Sequence, residues 1–325
     1  MKKVKQRLLI DTSALVLKKQ MPFMAFIIGD DGLACSGTIP SLTTVLTTAQ
    51  CITGDKKMMA WAGTNRLRKR PDFAPPTQHR SIAKIAVPDE YYVEIDDIGV
   101  AFLRVPWNQD DYVKPTQIWI QNKLLPFDFN VPLQVVGWGY GNQTGLDRYL
   151  RQTVMFVGSS MICPTTALQH LRQLMCSMDI LHKTICKGDH GGAVVFEFPT
   201  LGHVQLGVIK SQEPTQGQAR RERKAVFDPD RSDESCQVPA LANLFMYTGY
   251  YRKWILETIS DLPTLEKDWP TPNFTRPSPY GTAQGDLQLL QQEMYGEVAA
   301  VEVDSDEQDL YAGDDEDYAH DYSGP

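Results

Sequence analysis

Past Arg276 the chain has no lysine or arginine, while 13 acidic residues remain. All 32 basic residues therefore lie in residues 1–276, against 27 of the 40 acidic ones, so the net charge of −8 is a body near +5 joined to a tail near −13. Long apolar runs are missing too. None is long enough to span a membrane, and the N-terminal MKKVKQRLLIDTSALVLKKQ offers only the broken runs LLI and ALVL, which do not make a proper secretory leader. The basic runs RLRKR (66–70) and ARRERK (219–224) lack interleaved aromatics, which argues against a nucleic-acid partner. They read as exposed basic loops, the second with the arginine spacing of a processing site or of a dock for an anionic partner.

What is present suffices for a sizeable core: 325 residues, 42% of them hydrophobic, leave room for a tail outside it. The proline-rich run from Pro263 to Pro279 and the acidic stretch after it are too poor in large aliphatic residues to offset chain entropy. Residues 263–325 are expected to be disordered, despite a helix-compatible patch, GDLQLLQQEMY. Tyr311, Tyr318 and Tyr322 sit in DEQDLYAGDDEDYAHDY, the acidic setting that tyrosine sulfation requires, and a sulfated tail would suit a basic partner. A solubilising acidic tail is the plainer alternative. Asn142 and Asn273 open N-glycosylation triplets. Six cysteines allow 15 pairings, and spacing alone selects none.

Six segments carry a resemblance, in this order: MPFMAFI from Met21, CSGTIPSLTTVLTTAQC from Cys35 to Cys51, DIGVAFL from Asp97, VVGWGYG from Val135, CKGDHGGAV from Cys186, and YYRKWILETI, with Tyr251, Ile255 and Ile259 at helical spacing. Together they resemble the chymotrypsin/trypsin-like serine proteases. The resemblance implies an all-β fold, the trypsin-like double six-stranded antiparallel β-barrel with a C-terminal α-helix, over residues 21–262, after an N-terminal segment 1–20. It also implies the pairs Cys35–Cys51, Cys163–Cys176 and Cys186–Cys236, and with them an oxidising, extracellular compartment. The alternative is a set of buried free thiols.

The same resemblance marks what has changed. His190 stands where the family carries its nucleophilic serine, and Gln50 where it carries the catalytic histidine; only Asp97 of the triad remains. An amide cannot take the serine proton as a histidine does, although Gln50 can still hydrogen-bond to Asp97. Gly188 and His190 match the oxyanion hole. Two readings stay open there: a capture site for a carboxylate or peptide carbonyl, or an inherited turn plugged by the His190 ring. Thr184 stands at the base of the primary pocket in place of an acidic residue, and Lys210 and Gln212 are placed to fill the cleft. Leu9 before Ile10 does not fit an activation cleavage, so Asp189, the usual partner of the new N-terminus, needs another, with His190 as a candidate. His190 with Asp97 is at most half a metal site, because His182 and His203 have no spacing that supplies a third ligand. No metal and no cofactor is expected.

The resulting expectation is a catalytically inactive, secreted homologue acting as a binding module or cofactor. Its partner would be an extracellular protein, such as a protease or zymogen, in an immune or reproductive setting. Two alternatives differ in class: an active serine-type endopeptidase or hydrolase with a rearranged site, and an adhesion protein working through its acidic tail.

Overall fold

The computed structural model describes residues 14–30, 32, 34–54, 56–67, 76–89, 96–119, 131–139, 148–158, 173–178, 185, 188–198, 201–214 and 241–262. All lie in the first of two compact units, Met1–Lys267 and Asp268–Pro325. The acidic tail with its tyrosines, both glycosylation triplets, the ARRERK run, Thr184, Cys163, Cys186 and Cys236 lie outside the described residues.

The first barrel is built from β2 (Met24–Gly29), β3 (Ala34–Ser41), β4 (Thr44–Thr47), β5 (Met58–Ala62), β7 (Gln78–Ala86) and β8 (Gly99–Leu103), closed in the order β2-β3-β4-β8-β7-β5. The second uses β10 (Val131–Gly137), β12 (Arg151–Gly158), β13 (Leu174–Met178), β14 (Ala193–Phe198), β15 (Gly202–Pro214) and β16 (Leu241–Tyr247). They pair as β12-β10-β14-β15-β16-β13, and β13 returns to β12, which completes a ring of six antiparallel strands. Short strands trim the edges: β1 (Ala14–Leu15) on β12, β9 (Gln117–Ile118) on β15, and β6 (Arg66–Leu67) with β11 (Arg148–Tyr149).

Strand alternation explains why β2 reads as an unbroken apolar run. Successive side chains point to opposite faces, so Ala25 and Ile27 enter the first barrel beside Ile39 and Val45. Met24 and Phe26 face outward onto Val136, Trp138, Ala193 and Val195 of the second. Both faces are dry, so no polar alternation survives. The loop and strand from Ile98 to Leu103 repeat the device: Ala101 and Leu103 join the first core, while Ile98 and Val100 join Val208, Leu244 and Met246.

Two short helices complete what positions the site. Helix α1 (Ala49–Ile52) buries Ala49, Cys51 and Ile52 and leaves Gln50 half-buried. Helix α2 (Arg252–Thr258) packs through Tyr251, Ile255 and Ile259, one every four residues, so a single face meets the core. The expected helix is therefore present, and Tyr251 and Ile259, the ends of its periodic segment, serve as its caps. Cys35 and Cys51 form a disulfide that ties α1 to β3. Cys176 is also disulfide-bonded, to a partner outside the described residues. None of the described helices is long and apolar enough to cross a membrane.

Candidate functional site

The first barrel brings Gln50 onto Asp97. The Gln50 backbone N–H donates to Asp97 Oδ1 at 2.9 Å and its Nε2 donates to Oδ2 at 2.7 Å. Asp97 is 1% exposed. Burial pushes its carboxyl above the usual carboxylate range; the Gln50 N–H and then the charges of Lys210 and His190 oppose that rise. The neighbouring Asp96 is held by Tyr251, whose hydroxyl donates to Oδ1 at 2.7 Å, and by Gln173 Nε2 at 3.3 Å. Burial and that carboxylate push the Tyr251 hydroxyl strongly upward, so it stays a donor.

The second barrel contributes the turn 188–192. Gly191 has φ +81°, and a Cβ there would lie 2.0 Å from Thr47 Oγ1 and 2.2 Å from the Ser36 carbonyl, so only glycine fits between the barrels. Ser36 grips the turn twice: its N–H donates to the His190 carbonyl at 2.9 Å, and its Oγ donates to the Gly188 carbonyl at 2.9 Å. The same Oγ accepts from the Trp138 N–H at 3.1 Å. Asp189 turns toward Gly137 and Gly139, where a Cβ would collide with its carboxylate, and Oδ1 accepts from the Gly139 N–H at 2.6 Å. The glycine-tryptophan-glycine sequence thus exists to admit Asp189.

The His190 ring is directed at Lys210. Its Nδ1 meets the Lys210 carbonyl. A carbonyl only accepts, so Nδ1 is the donor. The physical reason is register: β15 is irregular between Ile209 and Ser211, which leaves Lys210 outside the β16 ladder with its carbonyl available to the ring.

Two further groupings follow. The Gly192 N–H donates to the Asp189 carbonyl at 2.8 Å. A trans peptide sets N–H and C=O on opposite sides, so the His190 N–H faces away from that bond. Among the described residues no acceptor meets the N–H of Gly188 or of His190. Below, Gln212 is half-buried with Nε2 donating to Asn243 Oδ1 at 3.3 Å, and the Ile185 N–H donates to the same oxygen at 3.1 Å. Asn243 Nδ2 donates to Ser177 Oγ at 3.1 Å. This buried amide cross-links β13, β16 and the segment at Ile185.

The trypsin family model matches residues 14–226, more than half of the sequence. This chain belongs to the trypsin family. Within this trypsin domain, Gln50 and Asp97 come from one barrel and His190 and Lys210 from the other, gathered at the seam. Among the described residues no group of three or more His, Cys, Asp or Glu is placed to hold a metal ion. Sequence reasoning missed Ser36 and Asn243. The available signals were slight: a hydroxyl directly after Cys35, and a lone amide inside the otherwise apolar LANLFMY.

Proposed function

We infer that this trypsin domain is a catalytically inactive, secreted protein-binding module, acting as a cofactor or regulator of an extracellular protein such as a protease or zymogen. One observation carries the reading: the group that covers Asp97 is the Gln50 amide, which hydrogen-bonds both carboxylate oxygens but has no basic nitrogen near neutral pH. Acyl transfer needs a base to take a proton from a nucleophile and return it to the leaving group. By the family resemblance the His190 ring stands where the nucleophilic serine would be, and its Nδ1 meets the Lys210 carbonyl. The amides of Gly188 and His190 remain suited to a carboxylate or peptide carbonyl, which favours capture over turnover. The disulfides at Cys35–Cys51 and Cys176 support an oxidising compartment.

The test is chemical. Purified full-length protein is expected neither to hydrolyse peptide esters nor to react with fluorophosphonates, with an active trypsin as positive control. Stoichiometric labelling of any serine ends the inactive reading and favours a rearranged hydrolase. Affinity capture from extracellular fluid with the unlabelled protein then identifies the partner class.

A further inference from the structure

We propose that the turn from Leu17 to Gln20 is a docking tip for an anionic phospholipid surface, with Leu15 and Leu17 entering the acyl boundary and the lysines beside them meeting the phosphates. The inference is independent of whether the domain is catalytically inert.

Leu15 is 50% exposed and Leu17 71%, whereas Val16 between them is 2% exposed and packs in the seam core with Trp138 and Leu150. Alternation along an extended chain therefore puts both leucines on the side facing water. The turn holds them there. On one side the Val16 N–H donates to the Leu150 carbonyl at 3.0 Å and Asn65 Nδ2 donates to the Val16 carbonyl at 3.0 Å; on the other, Met21 is buried. Within the turn the Gln20 N–H donates to the Leu17 carbonyl at 3.1 Å, and Gln20 Oε1 accepts from the Leu17 N–H at 3.0 Å. Lys19 has φ +68°, the only positive φ outside glycine among the described residues. An L-residue keeps that left-handed conformation only where its surroundings fix it.

Positive charge is in excess around the tip. Lys18 is exposed. The Nζ atoms of Lys19 and Lys114 reach the two oxygens of Asp111 at 3.1 and 3.3 Å, and Lys19 Nζ also lies 4.8 Å from the centre of the Tyr112 ring. Arg151 stands opposite Leu15 in the β1–β12 ladder. Asp110 is the other anion on this loop, and its Oδ1 is turned onto the N–H groups of Tyr112 and Val113. Lys18, Lys19, Lys114 and Arg151 against Asp110 and Asp111 leave an excess of two positive charges. The whole chain carries −8, so the attraction is local. At physiological ionic strength screening confines it to about 8 Å, the distance of a tip already at the surface.

A projecting leucine flanked by ammonium groups fits the boundary of an anionic bilayer, where the acyl region takes the apolar side chain and the phosphates take the lysine heads as their stems snorkel. A protein partner would need a cavity shaped to Leu17, whereas lipids rearrange around it. A sulfated glycan would engage the lysines and leave both leucines in water.

The test is co-sedimentation of the full-length protein with vesicles at physiological ionic strength. Wild type is expected to bind vesicles of equimolar phosphatidylcholine and phosphatidylserine, and to bind phosphatidylcholine alone at least about tenfold more weakly, since each basic residue contributes roughly fivefold. On the mixed vesicles Lys18→Gln should lower binding about fivefold and Leu17→Ser at least about tenfold, whereas Leu17→Phe should keep it. Both positions are exposed, so the variants should unfold at the wild-type midpoint. A second readout needs no loss of binding: the indole introduced by Leu17→Trp is expected to be quenched by brominated acyl chains in the mixed vesicles. No binding to the mixed vesicles, equal binding to both compositions, wild-type binding by Leu17→Ser, or an unquenched indole overturns the proposal. Retention on heparin or capture of an acidic protein without vesicle binding also overturns it, in favour of a glycan or a protein at the same tip.

Discussion

At the scale of single residues, Asp97 sets a pH dependence whose sign follows from its burial. Its carboxyl is raised in the fold, so between the unfolded value near 3.8 and the higher folded one the native state holds more protons than the unfolded chain. Stability is therefore lost as pH rises through that window, and the loss is complete above the folded midpoint. The difference in unfolding free energy between wild type and Asp97→Asn, measured by denaturant titration from pH 3 to 7, is expected to shift against the wild type as pH increases. A difference that is flat or moves the other way contradicts this. Ser36 makes a second residue-level case. Replacing its buried hydroxyl by Ser36→Ala leaves the Gly188 carbonyl and the Trp138 N–H without their shared partner, a loss of about 1–3 kcal/mol. Amide exchange at Gly191 and Gly192, whose N–H groups donate to the Ile209 and Asp189 carbonyls, should rise with it; unchanged exchange and stability would mean the turn is held elsewhere.

Elements were legible to different degrees. β2 and the Ile98–Leu103 segment could be read because apolar runs are local signals that match the structure closely, whereas the Cys35–Cys51 pair came only from the family resemblance. The α2 segment was readable from the four-residue recurrence of Tyr251, Ile255 and Ile259. Lys210 was placed near the cleft, but its burial depends on a bulge between Ile209 and Ser211 that no residue type announces. Asn243 and Ser36 were invisible because their partners are remote: Ser36 and Gly188 are 152 residues apart, and Asn243 meets Ile185 across 58. At this scale α2 has a direct test. Ile255 is fully buried among Val208, Leu244 and Met246, so Ile255→Ala should destabilise by about 2–5 kcal/mol through lost transfer energy and a residual cavity. A loss below about 1 kcal/mol would show that the helix is peripheral to the second core.

For the whole molecule, two barrels share one seam, and both β2 and the Ile98–Leu103 segment belong to it on one face and to the first core on the other. Separating the barrels would expose Met24, Phe26, Trp138 and Val195 together. Unfolding should consequently be cooperative across both, with tryptophan fluorescence and far-ultraviolet circular dichroism giving coincident transitions. Reduction is expected to lower the common midpoint without splitting it. Cys35–Cys51 closes a loop of sequence separation 16, a constraint of about 3 kcal/mol in the chain-entropy account. Two resolved transitions in the oxidised protein would show that the barrels are independent.

The outward face of β2 has a further consequence, for the growing chain on the ribosome. Met24 and Phe26 emerge early, but Val136, Trp138 and Val195, the residues that cover them, lie more than a hundred positions downstream. At about 5–20 residues per second that interval is roughly ten to thirty seconds. Throughout it the first barrel can close only around its inner residues, with an apolar strip facing outward. Synthesis of this domain therefore includes an obligatory period in which half of the future seam has nothing to cover it.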